Sequence, residues 1–198
     1  MNVDVVQSFN FLPVPTDIHF GCGMLRSLPE RLKSLGATKT LVVTDPGVRA
    51  AGILDRVTKI LRDAACDFTV FDGVKPDSGS TLIDETVAEL QRSACDAVAG
   101  VGGGSSLDTA KAVAALATNP GPALSYTGLH KVRNRPLPMI AIPTTAGTGS
   151  EVTLWSVFTD DTRAVKVAIG GTMIYPAVAL CDPELTLDLP PMLTAATG

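Results

Sequence analysis

Histidine is scarce in this chain of 198 residues: only His19 and His130 occur, and they form no H-x₃-H or similar pair. A catalytic metal needs several converging ligands, so surface or packing roles are expected for both, and no metal ligand is assigned. No run of about 18 apolar residues exists, which argues against a membrane-spanning helix. Basic excess is also missing. Sixteen Lys and Arg face twenty Asp and Glu, a formal net charge of −4, so nothing electrostatic favours nucleic acid. The first residues, Met1-Asn2-Val3-Asp4-Val5-Val6, lack the basic-then-apolar order of a signal peptide, and a cytoplasmic location is expected. Cys22, Cys66, Cys95 and Cys181 are far apart and make no C-x-x-C pair, which removes zinc ribbons and thioredoxin motifs. Buried reduced thiols are the expectation, with a disulfide left open. There is no internal repeat and no low-complexity segment.

What is present is apolar substance in regular alternation. Hydrophobic residues make up 45% of the chain and charged ones 18%, ample for a core. Leu25, Leu28, Leu32 and Leu35 recur at helical spacing before Gly36. Thr40–Thr44 reads as a buried strand, Ile53 to Ala64 as a helix, Phe68–Phe71 as a strand, Ile83 to Ala94 as a helix and Ala97–Val101 as a strand. Short apolar runs alternating with helices predict an α/β fold: a Rossmann-like parallel sheet flanked by helices. Phe11 to Phe20 alternates around two prolines and predicts edge strands or a hairpin. From Pro136 the apolar runs Pro138–Ile142, Val152–Phe158, Val165–Ile169 and Val178–Leu180 leave little room for helices. A strand-rich extension toward the C-terminus, covering a ligand site, is expected there. The loop 119–136, with Lys131, Arg133 and Arg135, reads as solvated. Pro190-Pro191 should open a new helix.

Two glycine-rich turns carry the chemistry. Gly102-Gly103-Gly104-Ser105-Ser106-Leu107-Asp108-Thr109-Ala110-Lys111 follows the strand Ala97–Val101 and opens an alanine-rich helix. Glycines let a backbone approach a ligand closely, and a helix start offers free N–H groups and partial positive charge to a phosphate. Leu107 stands where G-x-G-x-x-G would place its third glycine, and the P-loop pattern is absent, so a purely structural turn is the competing reading. The second turn, Pro143-Thr144-Thr145-Ala146-Gly147-Thr148-Gly149-Ser150-Glu151-Val152-Thr153, follows Met139–Ile142. Its small hydroxyls could donate to phosphate or ribose oxygens or satisfy their own loop. Asp45 ends the strand Thr40–Thr44, where ligands of open α/β sheets bind. It could accept from ribose hydroxyls and repel a 2′-phosphate, or simply make a turn before Pro46-Gly47.

The two turns, with Cys181-Asp182-Pro183-Glu184-Leu185-Thr186-Leu187 and Leu189-Pro190-Pro191-Met192-Leu193-Thr194-Ala195-Ala196-Thr197-Gly198, resemble the iron-containing (group III) alcohol dehydrogenases. The resemblance runs from about Phe11 to the end. It implies an NAD-binding domain over residues 1–190 and the start of a helical metal-binding domain over 191–198. The family's metal ligands, an aspartate and three histidines, would lie beyond Gly198. It further implies NAD as cofactor, a divalent metal (iron or zinc) in the intact enzyme only, a small alcohol or aldehyde as substrate, and a homo-oligomer. Matching cofactor-binding positions are Asp45 for the ribose; Gly102; Gly103, Gly104 and Ser105 for the diphosphate; Asp108 in the helix's first turn; Thr144, Thr145 and Thr148 for the adenine and phosphate side; and Lys166 for a ribose. Asp108 and Lys111 could instead form an i,i+3 pair, and Lys166 could be a surface strand lysine. The loop Val74-Lys75-Pro76-Asp77-Ser78 stands in place of a family P-N-P-T motif, with Asp77 for asparagine and Ser78 for proline. The intact enzyme would move hydride between a primary alcohol and nicotinamide, and this chain alone would be inactive. The alternatives are a standalone nucleotide-binding or regulatory module, or a fragment of a dehydroquinate-synthase-type lyase. Catalytic residues stay unassigned.

Overall fold

The computed structural model describes residues 14–197. Its elements in chain order are β1 (Asp17–Phe20), α1 (Leu28–Ser34), β2 (Lys39–Val43), α2 (Pro46–Ala50), α3 (Ile53–Asp63), β3 (Asp67–Phe71), α4 (Ser80–Arg92), β4 (Ala97–Gly102), α5 (Gly104–Leu116), β5 (Gly128–Leu129), β6 (Met139–Pro143), β7 (Trp155–Asp160), β8 (Val165–Gly170), β9 (Val178–Cys181) and α6 (Pro191–Thr197). Six strands form one sheet in the order β1-β9-β6-β4-β2-β3, every pair parallel. This is the Rossmann-like architecture expected from the alternation of strands and helices.

The inner strands are apolar but for Lys39 and Thr40 at the start of β2, because both of their faces are covered. Leu41, Val43 and Val98 point into one core with Ile83 of α4 and Leu107 and Ala110 of α5. Val42, Ala97, Ala99, Ile140 and Ile142 point into the other, with Leu28 and Leu32 of α1 and Leu54, Val57 and Leu61 of α3. Gly100 sets the closeness of α5. A Cβ there would stand 2.7 Å from the Ala110 Cβ and 2.9 Å from the Met139 Cε, so the bare glycine and the alanine-rich helix fit each other.

The extension is only partly what the apolar runs suggest. The first and last of the four runs return to the main sheet as β6 and β9. The middle two form β7 and β8, an antiparallel hairpin joined in parallel by β5 to make a second, mixed sheet. The hairpin lies over α5, so every residue of that helix from Ser106 to Leu116 is buried. Val152 belongs to the short 3₁₀ turn Ser150–Val152 rather than to a strand. The proline-containing start is not a hairpin either: β1 is an edge strand, paired in parallel with β9 from the far end of the chain, while Phe11 itself lies outside the described residues. The basic loop is ordered by Asn119, whose side-chain oxygen accepts from the Arg133 and Asn134 N–H groups and whose Nδ2 donates to the Ala115 and Asn134 carbonyls.

Candidate nucleotide-binding site

The chain leaves β2 for α3 on one face of the sheet and leaves β4 for α5 on the other. Neighbouring strands whose following helices part in this way open a crevice at their carboxyl ends. Asp45 stands at one lip and the glycine turn at the other.

Asp45 caps α2 in an extended conformation, its Oδ1 accepting from the Val48 N–H at 3.0 Å. Its Oδ2 accepts from the Ser106 hydroxyl at 2.7 Å, a contact across the crevice that links the two lips. Gly102 makes the link possible. Its φ is 145°, and a Cβ would fall 2.7 Å from the Ser106 side chain and 2.9 Å from the Asp45 Oδ2. Sequence reasoning misses Ser106; only its place two residues beyond the last glycine of the turn could draw notice.

Gly103 precedes α5 in extended conformation, and no side chain caps the helix. The N–H groups of its first turn are therefore not satisfied by a capping side chain, and Gly103, Gly104 and Ser105 are partly exposed. The second turn folds over them. The Thr144 N–H donates to the Gly102 carbonyl at 3.0 Å. A Cβ on Gly103 would meet the Thr145 side chain at 3.3 Å, and one on Gly104 would meet the Thr148 methyl at 3.4 Å and the Ser150 Oγ at 3.6 Å. The Thr145 Oγ1 is buried and has no hydrogen-bond partner among the described residues. An uncapped helix start, two partly exposed glycines packed against the second turn and an orphaned hydroxyl form a set suited to a diphosphate.

Asp108 and Lys111 do form the i,i+3 pair, 3.7 Å apart and buried. Both serve the hairpin as well. The Asp108 Oδ2 accepts from the Val157 N–H, and its own carbonyl accepts from the Ser156 hydroxyl. The Lys111 Nζ donates to the carbonyls of Thr153 and Trp155 and to the Thr153 hydroxyl, at 3.0, 2.7 and 3.1 Å. Burial raises the Asp108 carboxyl above its ordinary range against the attraction of Lys111. Burial also pulls the Lys111 ammonium down to about 8, against the attraction of Asp108 and Glu151.

Lys166 projects from β8 and pairs with Asp77. Two features that sequence reading keeps separate thus meet. Asp77 has a φ of 56°, a left-handed conformation that Asp and Asn tolerate better than most residues. Its carbonyl accepts from the Thr159 hydroxyl, and the Ser78 carbonyl accepts from the Thr159 N–H at 2.9 Å. The hairpin is fastened to this loop as well as to α5.

Among the described residues, no group of three or more His, Cys, Asp or Glu is placed to hold a metal ion. His19 pairs with Asp17 on the edge strand. Asp182 accepts from the Gly23, Leu25 and Glu184 N–H groups. The four cysteines are free; Cys95 is buried, but Cys22 is exposed, against expectation, because it sits in the turn after the edge strand.

The profile of the family described as iron-containing alcohol dehydrogenase matches residues 15–183. This chain belongs to the iron-containing alcohol dehydrogenases. It is 41% identical to a choline dehydrogenase of Bacillus subtilis (strain 168), covering 100% of this chain and 50% of the relative. It is also 41% identical to an NAD-dependent methanol dehydrogenase of Bacillus methanolicus, covering 96% and 49%. The crystal structure of a 1,3-propanediol oxidoreductase superposes with a TM-score of 0.91 at 38% identity, over 96% of this chain and 50% of that one. A sulfoacetaldehyde reductase from Bifidobacterium kashiwanohense in complex with NAD+ gives 0.88 at 32% identity, over 96% and 50%. The chain spans about half the length of the iron-containing alcohol dehydrogenases and other relatives it matches.

Proposed function

We propose that this chain is the NAD-binding part of an iron-dependent alcohol dehydrogenase that interconverts a small primary alcohol and its aldehyde. The observation that carries the reading is the orphaned Thr145 hydroxyl held against the uncapped start of α5. The names of the methanol dehydrogenase relative and of the reductase solved with NAD+ support the choice of cofactor.

In this reading Gly102, Gly103, Gly104 and Ser105 hold the diphosphate from below, through backbone N–H groups and the positive end of α5. Thr144, Thr145 and Thr148 close over it from the second turn. Asp45 accepts from the adenosine ribose and repels a 2′-phosphate. Lys166, released from Asp77 or shared with it, reaches a ribose of the cofactor. Asp108 and Lys111 hold the hairpin that carries Lys166. Bound NAD supplies the hydride-accepting carbon. A divalent metal, iron or zinc, belongs to the whole enzyme, with ligands from outside the described residues. No catalytic acid or base is assigned within this chain, and by itself it carries no turnover.

The test is titration of the folded chain with NADH, followed by nicotinamide fluorescence or heat. Saturable binding is expected. A folded sample that gives no saturable signal overturns the reading. Asp45→Gly should ease NADPH binding relative to NADH, and an unchanged preference would remove Asp45 from the ribose site.

A further inference from the structure

We propose that Ser106 is a positioning residue that aims the Asp45 carboxylate and thereby sets the preference for a cofactor with a free 2′-hydroxyl. The inference rests on the reading of Asp45 as the ribose contact, and concerns what makes that contact selective.

A carboxylate fixed through one oxygen can still swing about that anchor. The α2 cap fixes only the Asp45 Oδ1, through the Val48 N–H. The Ser106 hydroxyl fixes Oδ2 from the other side of the crevice, at 2.7 Å. Two anchors from different elements define the plane of the group, which stays partly exposed. Ser106 is itself buried, and Gly102 leaves the space the bridge needs. The chemistry of the anchor also matters. A hydroxyl orients the carboxylate without cancelling its charge, whereas a lysine or arginine there would weaken the repulsion of a 2′-phosphate. The aspartate is held ready before the ligand arrives, which lowers the ordering cost of binding.

The experiment measures dissociation constants of NADH and NADPH by fluorescence titration on the chain and on Ser106→Ala, Ser106→Thr, Asp45→Ala and the Asp45→Ala/Ser106→Ala double variant, each checked for folding by circular dichroism. The NADH-over-NADPH preference should fall about fivefold in Ser106→Ala, on the scale of one net hydrogen bond. Ser106→Thr, which keeps the hydroxyl, should restore it. When Asp45→Ala is already in place, removing the Ser106 hydroxyl should leave the preference unchanged. A preference lost in Asp45→Ala but intact in Ser106→Ala overturns the proposal and leaves the Asp45 reading standing. An equal effect of Ser106→Ala with and without the Asp45 carboxylate also overturns it, since the serine would then act on its own. If Asp45→Ala leaves the preference untouched, the ribose reading and the proposal fall together.

Discussion

Thr145 carries a buried oxygen that finds no hydrogen-bond partner among the described residues. Such a group costs folding free energy on the order of 1–3 kcal/mol, and its place against Gly103 suggests what offsets the cost. Thr145→Val keeps the shape and removes the hydroxyl. Thermal unfolding should show stability that is unchanged or higher, while NADH affinity drops about fivefold or more; a variant that loses both would mark the hydroxyl as structural. Gly100→Ala tests packing alone. Its methyl would press on Ala110 and Met139, and overpacking of this kind costs about 1–3 kcal/mol in a urea melt. At this scale the position of the glycine turns and of Asp45 at strand ends is legible from the apolar runs before them, while each also has a structural use, Asp45 as the cap of α2. Ser106 is not legible, since a serine in a helix's first turn commonly serves its own backbone, and sequence does not show two lips of a crevice facing each other.

The start of the hairpin β7–β8 is gathered on one lysine. Lys111 gathers three acceptors from the segment 153–155, with Asp108 and Glu151 as the acidic groups around it. Lys111→Met leaves the Asp108 carboxylate buried without its partner, and loss of one member of a buried pair costs about 3–5 kcal/mol. The pH dependence supplies a second readout. The folded chain releases the Lys111 proton near 8, whereas the unfolded chain holds it to about 10.4. In that window the unfolded state binds more protons, so stability should rise with pH. Urea melts between these pH values should show the rise in the native chain and not in Lys111→Met. The strands themselves were readable from their apolar runs. Their assignment to sheets is not given by the runs as such; the difference lies in the polar residues Ser156, Thr159, Asp160 and Lys166, which interrupt β7 and β8 while β6 and β9 stay apolar, as strands covered on both faces do.

The molecule as a whole spans about half the length of its relatives. The purified chain, supplied with NAD and either Fe²⁺ or Zn²⁺, should oxidise no alcohol; robust turnover by material of verified length would contradict this. Phe20 and Leu187 are 77% exposed and Met192 81%, and large apolar side chains left in water favour association. Light scattering should return a dimer or larger species, and a clean monomer mass would reject that expectation. The pairing of β1 with β9 has a consequence for assembly in time. Gly23 donates to Asp182 across a separation of 159 residues, and the edge strand beside it waits equally long for its neighbour. As the polypeptide emerges from the ribosome, β1 therefore has no native seat until the chain as far as β9 has been synthesised. Closure of that seam belongs among the slower pairings of this sheet, and a chaperone that shields the waiting strand should raise the yield of native protein.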